Sequence, residues 1–178
     1  EVRELETRGV FDLTRDEHFD ILRMKTAVFI QSCCEIGALA AGAPAADVSA
    51  LGRYGHHVGM AFQVVDDLLD YRADHVTTGK PRATDFREGC ATLPLILLRD
   101  HLDADERSEI AGFFGNGVDE TGIARVCGLM ADRGAFDGAE AAARHHVDNA
   151  IAAVAALPEG DARHLLETVA EFVVAREA

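Results

Sequence analysis

Apolar residues in this chain recur at three- and four-residue spacing, and no alternating period-two segment runs for more than a few residues. A half-buried strand requires alternation, whereas an amphipathic helix requires the 3.6-residue recurrence, so the pattern predicts an all-α fold. The C-terminal segment is a clear case. Leu165, Leu166, Val169, Phe172 and Val173 fall at i, i+1, i+4, i+7 and i+8 and make one apolar helix face. Heavy use of alanine and short β-branched runs point the same way. No repeat, low-complexity tract or linker divides residues 1–178, which are expected to form one helical domain or part of one.

The helix ends can be read from their caps. Thr14 followed by Glu17 has the form of a capping box, and a long helix is predicted from there to "AGAP" at Ala41–Pro44. Phe19, Leu22, Thr26, Phe29 and Ile30 form its stripe, extended by Cys33, Ile36 and Gly37. A second helix is expected from about Asp47 or Ser49 to Tyr71, followed by a loop from Arg72 to Gly89. Thr92 with Pro94 in the first turn opens the next helix, and Asp103 with Glu106 the one after. Further helices are expected over Asp119–Arg133, Asp137–Leu157 and Ala162–Arg176.

The predicted second helix carries the chemistry. In "MAFQVVDDLLDY", Asp66, Asp67 and Asp70 interrupt an otherwise apolar run. Gln63, Asp66, Asp67 and Asp70 stand at i, i+3, i+4 and i+7 and share a helix face. Asp66 and Asp70 are ~6 Å apart along the axis. Their charges repel, and at a helix C-terminus the macrodipole disfavours each by a further ~0.3–1 kcal/mol. A solvated acidic face would not sit comfortably in so apolar a run. A hard divalent cation such as Mg2+ reverses both penalties. Because magnesium keeps waters and takes substrate phosphate oxygens alongside a few carboxylates, the motif implies a phosphorylated ligand. Lys80, in "TTGKP", and Lys25 with Thr26 offer cations and a hydroxyl for it.

The formal net charge is −14 and the pI about 4.8. That field disfavours nucleic acid and anionic membrane surfaces while leaving room for a small anion held by local lysines. No apolar stretch approaches the ~20 residues needed for stable membrane insertion, and a cytoplasmic location is expected. Cys33, Cys34, Cys90 and Cys127 show no CxxC spacing and read as unpaired thiols. His56-His57 and His145-His146 are neighbours in sequence, and adjacent residues do not share a helix face, so neither pair reads as a metal site.

The stretch "GMAFQVVDDLLDY…TTGKPRATDFREGCATLPLILL" closely resembles the second aspartate-rich region of the trans-isoprenyl diphosphate synthases. "MKTAVFIQSCCEIGALAAGA" is similar to that family's Lys-Thr helix. The resemblance spans roughly residues 23–98 and implies a helical bundle of the isoprenoid synthase type. It further implies that Asp66 contacts Mg2+ directly, with Asp67 and Asp70 assisting directly or through water. Asp85 would lie near the metal cluster. Lys25 and Lys80 would bind the allylic diphosphate, and Thr26 and Gln63 would face the reacting carbon. The implied reaction joins an allylic diphosphate to isopentenyl diphosphate. The alternatives are a terpene cyclase on the same fold and a non-catalytic partner subunit.

Two departures from the family pattern stand out. No second DDxxD occurs in this chain, and the chain begins at Glu1 without methionine, so it reads as the C-terminal portion of a longer enzyme. On that reading this portion alone is inactive and the intact enzyme is a homodimer. Cys90 stands where the family usually has lysine.

Overall fold

The computed structural model describes residues 2–72 and 82–176, and among these there is no strand. In chain order the helices are α1 (Val2–Glu6), α2 (Arg15–Leu22), a π-helical turn (Arg23–Ala27), α3 (Val28–Ala40), α4 (Ala45–Arg72), α5 (Thr84–Glu88), α6 (Leu93–Arg99), α7 (Ala104–Phe113), α8 (Glu120–Asp132), α9 (Ala135–Val154) and α10 (Asp161–Val174). The all-α expectation holds. The expected capping boxes form: Thr14 and Glu17 bond reciprocally before α2, as do Asp103 and Glu106 before α7.

Three details differ from the sequence reading. The helix predicted as one piece after Thr14 is interrupted by the π turn, where the Val28 N–H reaches back five residues to the Arg23 carbonyl. The segment read as a loop up to Gly89 contains α5. The expected stripe over the π turn and α3 is also not simply a core face, since Phe29 and Ile36 are exposed while Ala27 and Ala38 are buried. Small residues have taken the buried positions.

The described residues fall into two compact units. One holds the chain up to Ile21 together with Asp66–Glu140; the other holds Leu22–Val65 and Ala141–Arg176. In the first, Tyr71, Phe86, Leu93, Leu95, Leu98, Ile110, Ile123, Val126 and Met130 are fully buried. Phe114 meets both Phe11 and Phe86 edge-on, at centroid distances of 5.5 and 5.4 Å. The Arg99 guanidinium bonds the carbonyls of Phe11 and Leu13, fixing the segment that leads into α2.

The second unit has a core of small side chains, including Ala27, Ala50, Ala61, Val64, Ala143, Val147, Ala150 and Ala170. Its close packing depends on Gly52, Gly55 and Gly59, at i, i+3 and i+7 along one face of α4. A Cβ on Gly55 would meet the Ile30 carbonyl oxygen at 2.8 Å, and one on Gly59 would meet Ala27 Cα at 2.6 Å. Each glycine inside a helix costs up to about 1 kcal/mol against alanine. Here that cost is offset by the approach of α4 to the backbone of the π turn and α3. The Tyr54 hydroxyl donates to the Leu166 carbonyl at 2.8 Å and ties α4 to α10. Its pKa is pushed up to about 12, chiefly by burial.

Candidate functional site

In the second unit, the π turn carries Lys25 and Thr26. Directly after them, Ala27 lies against Gly59, one helical turn before Gln63 on α4. The glycine contact brings the two polar residues together: Thr26 Oγ1 donates to Gln63 Oε1 at 2.6 Å. Gln63 is 7% exposed, so this carbonyl has traded water for a protein donor. The Lys25 side chain is exposed.

In the first unit, the three aspartates of α4 have unlike surroundings. Asp66 is exposed. Asp67 is buried, with its Oδ2 2.9 Å from Nε2 of His18 on α2. Asp70 is half-buried and accepts two backbone bonds at the start of α5, from the Thr84 N–H to Oδ1 and from the Asp85 N–H to Oδ2, both 3.0 Å. Its backbone carbonyl also takes the Ala83 N–H. Ala83 has a left-handed backbone, with φ 56°, which turns the chain sharply into α5. Burial raises the Asp70 pKa above the ordinary carboxylate value; the two amide bonds oppose the shift and the Asp67 charge adds to it.

Two of the residue sets expected from the sequence are therefore brought together: Thr26 with Gln63, and Asp70 with the backbone of Asp85. Lys80 lies outside the described residues. Among the described residues no group of three or more His, Cys, Asp or Glu side chains converges to hold a metal ion. His18 was not singled out from the sequence. Its signal was its place three and four residues before Ile21 and Leu22, both buried, which puts an imidazole on the inward stripe of α2.

Other polar groups are quieter. The Cys90 thiol, where a lysine was expected by resemblance, is half-buried and its pKa is pushed up to about 11, first by burial and then by Asp85. It is neutral at physiological pH and supplies no positive charge. His57 and His146 meet Nδ1 to Nδ1 at 3.0 Å within the second unit. Adjacent histidines do not share a face, but these two meet from different helices.

Residues 1–128 match the family model described as polyprenyl synthetase. The chain belongs to the polyprenyl synthetase family. It is 34% identical over 166 residues to a short chain isoprenyl diphosphate synthase of Methanothermobacter thermautotrophicus, covering 93% of this chain and 51% of that protein. It is 37% identical over 177 residues to a (2E,6E)-farnesyl diphosphate synthase of Mycobacterium bovis, covering 94% of this chain and 48% of that one. Among solved structures, a polyprenyl synthase of Caulobacter crescentus complexed with calcium and isoprenyl diphosphate matches with a TM-score of 0.92. The two are 36% identical, and the match covers 99% of this chain and 54% of the other. The chain thus spans about half the length of the relatives it matches. No described helix is long and apolar enough to cross a membrane.

Proposed function

We propose that the protein carrying this chain is a prenyl transferase that condenses an allylic diphosphate with isopentenyl diphosphate, and that residues 1–178 are the C-terminal portion of its single helical domain. The observation that carries this is the Thr26–Gln63 hydrogen bond, whose acceptor lies on the same helix as the DDxxD face in a chain of the polyprenyl synthetase family. It pairs a buried glutamine carbonyl with a part-buried threonine hydroxyl, oxygen dipoles of the kind that stabilise positive charge developing on carbon.

In the proposed reaction the C–O bond of the allylic diphosphate breaks and its electron pair leaves with the diphosphate. The double bond of isopentenyl diphosphate then forms the new C–C bond, and a proton passes to the released diphosphate. Thr26 and Gln63 face the allylic carbon. Lys25 and Lys80 bind the diphosphate oxygens.

The donor chemistry of α4 and α5 fits a hard divalent cation. It offers carboxylate oxygens, with the exposed Asp66 foremost and Asp67, Asp70 and Asp85 in support. Among the described residues no set of three is pre-gathered, and magnesium binds through one or two carboxylates plus waters and phosphate. When bound, Mg2+ would neutralise charge on the departing diphosphate. A relative's complex with calcium and isoprenyl diphosphate supports the same pairing of cation and ligand. We place the intact enzyme in the cytoplasm as a homodimer, and expect residues 1–178 alone to be inactive.

The test is incubation of the intact protein with geranyl diphosphate, labelled isopentenyl diphosphate and magnesium chloride. Extractable prenyl product should require all three and fall at least a hundredfold in Asp66→Ala. Turnover that ignores isopentenyl diphosphate would replace the transferase with a cyclase.

A further inference from the structure

Of the three aspartates on α4, Asp67 is the one the fold has drawn inside, and nothing in the proposed reaction explains its partner. The side chains of His18 and Asp67 are 5% and 8% exposed, and their Nε2–Oδ2 distance is 2.9 Å. They stand 49 residues apart in sequence, so the pair exists only where α2 packs on the end of α4. A carboxylate this deeply buried is costly without a donor. An ionised carboxylate can only accept, so against an ionised Asp67 the hydrogen in this contact sits on His18 Nε2. The neighbouring Asp66 is exposed.

We propose that His18 is a positioning residue: its Nε2–H holds the Asp67 carboxylate in one orientation, and that orientation sets how tightly the aspartate-rich face binds a divalent cation with diphosphate. The inference rests on the metal role proposed above. His18 touches neither cation nor substrate in this scheme and acts through Asp67. Hydrogen-bond partners behind metal-binding carboxylates commonly carry 10–100-fold in metal affinity. The same bond removes rotational freedom from Asp67, leaving less to be ordered when the cation arrives.

The experiment uses the intact protein with Mn2+ and inorganic pyrophosphate as probes. Affinity is read from water-proton relaxation and the imidazole from its ring 15N–1H correlations. In the wild type the His18 ring should carry its hydrogen on Nε2, and Asp67→Asn should shift that resonance. His18→Phe should weaken Mn2+–pyrophosphate binding about tenfold. His18→Gln, which keeps an N–H donor, should recover binding to within about threefold, and equal helical circular dichroism would show that both variants fold. A ring protonated only on Nδ1 would overturn the inference. So would a His18→Phe variant that binds as tightly as the wild type while Asp66→Asn does not; that result would leave the metal reading standing. A wild-type protein that binds no Mn2+ with pyrophosphate would overturn the metal reading and this inference with it.

Discussion

Asp70→Ala separates two accounts of the acidic helix by the sign of its effect on the metal-free protein. If the three aspartates only crowd one another at the end of α4, removing one should stabilise the fold by ~0.3–1 kcal/mol. The structure predicts the opposite. Asp70 takes the Thr84 and Asp85 amides at the start of α5, at 3.0 Å each. Ordinary hydrogen bonds contribute about 0.5–1.5 kcal/mol net, and those to charged groups more. Burial raises the Asp70 pKa, so ionising it is less favourable in the fold than in the open chain, and the lower range applies. Two bonds then give a loss of about 1–3 kcal/mol for Asp70→Ala. At roughly 2–4 °C per kcal/mol for a chain of this size, Tm falls by about 2–12 °C. Asp70→Asn keeps one acceptor oxygen and should fall between. The linkage sign is also fixed. With a folded pKa above 3.8, Asp70 adds stability as pH falls through that window and loses it as pH rises, a dependence that Asp70→Asn should lack. Urea titration followed by circular dichroism gives the stability, and amide exchange at Thr84 and Asp85 gives the location. An Asp70→Ala protein as stable as the wild type, with both amides still protected, would refute the reasoning.

Gly59→Ala forces a Cβ to within 2.6 Å of Ala27 Cα, and the backbone of the π turn must shift. A loss of about 1–3 kcal/mol is expected by urea titration, with the Thr26–Gln63 bond disturbed. Burial, aided by the charges of His56, His145 and Arg53, holds the His57 pKa below 6.5, so the folded ring is neutral while the unfolded one takes a proton first. Stability present above about pH 6.5 is therefore lost as pH falls from there through the lowered pKa, and His57→Gln should flatten the slope. Identical slopes in the two proteins would reject that assignment. Cys33 is exposed and Cys90 half-buried with a raised pKa, so iodoacetamide at neutral pH should label Cys33 well before Cys90, as read by peptide mass spectrometry.

Much of the molecule could be read from local chemistry. Helical recurrence of apolar residues, the Thr14–Glu17 and Asp103–Glu106 caps and the one-faced set Gln63, Asp66, Asp67, Asp70 are short-range properties, set by backbone geometry within a turn or two. The DDxxD motif and the Lys-Thr segment carry the family resemblance in their local sequence alone. What could not be read were effects that depend on distant segments. Gly52, Gly55 and Gly59 look like weak points in a helix until α3 and the π turn lie against them. α5 is too short to show a period, and it is defined by an aspartate beyond its own sequence neighbourhood.

The same division runs through the acidic helix. The sequence determined that α4 would present three carboxylates on one face, because the 3.6-residue turn leaves no other arrangement. Only the tertiary structure made them unequal: it left Asp66 exposed, set Asp67 against His18 and spent Asp70 on the start of α5. Burial and hydrogen-bond partners are supplied by residues 14 to 49 positions away in sequence, and no local rule of spacing specifies which carboxylate they will reach.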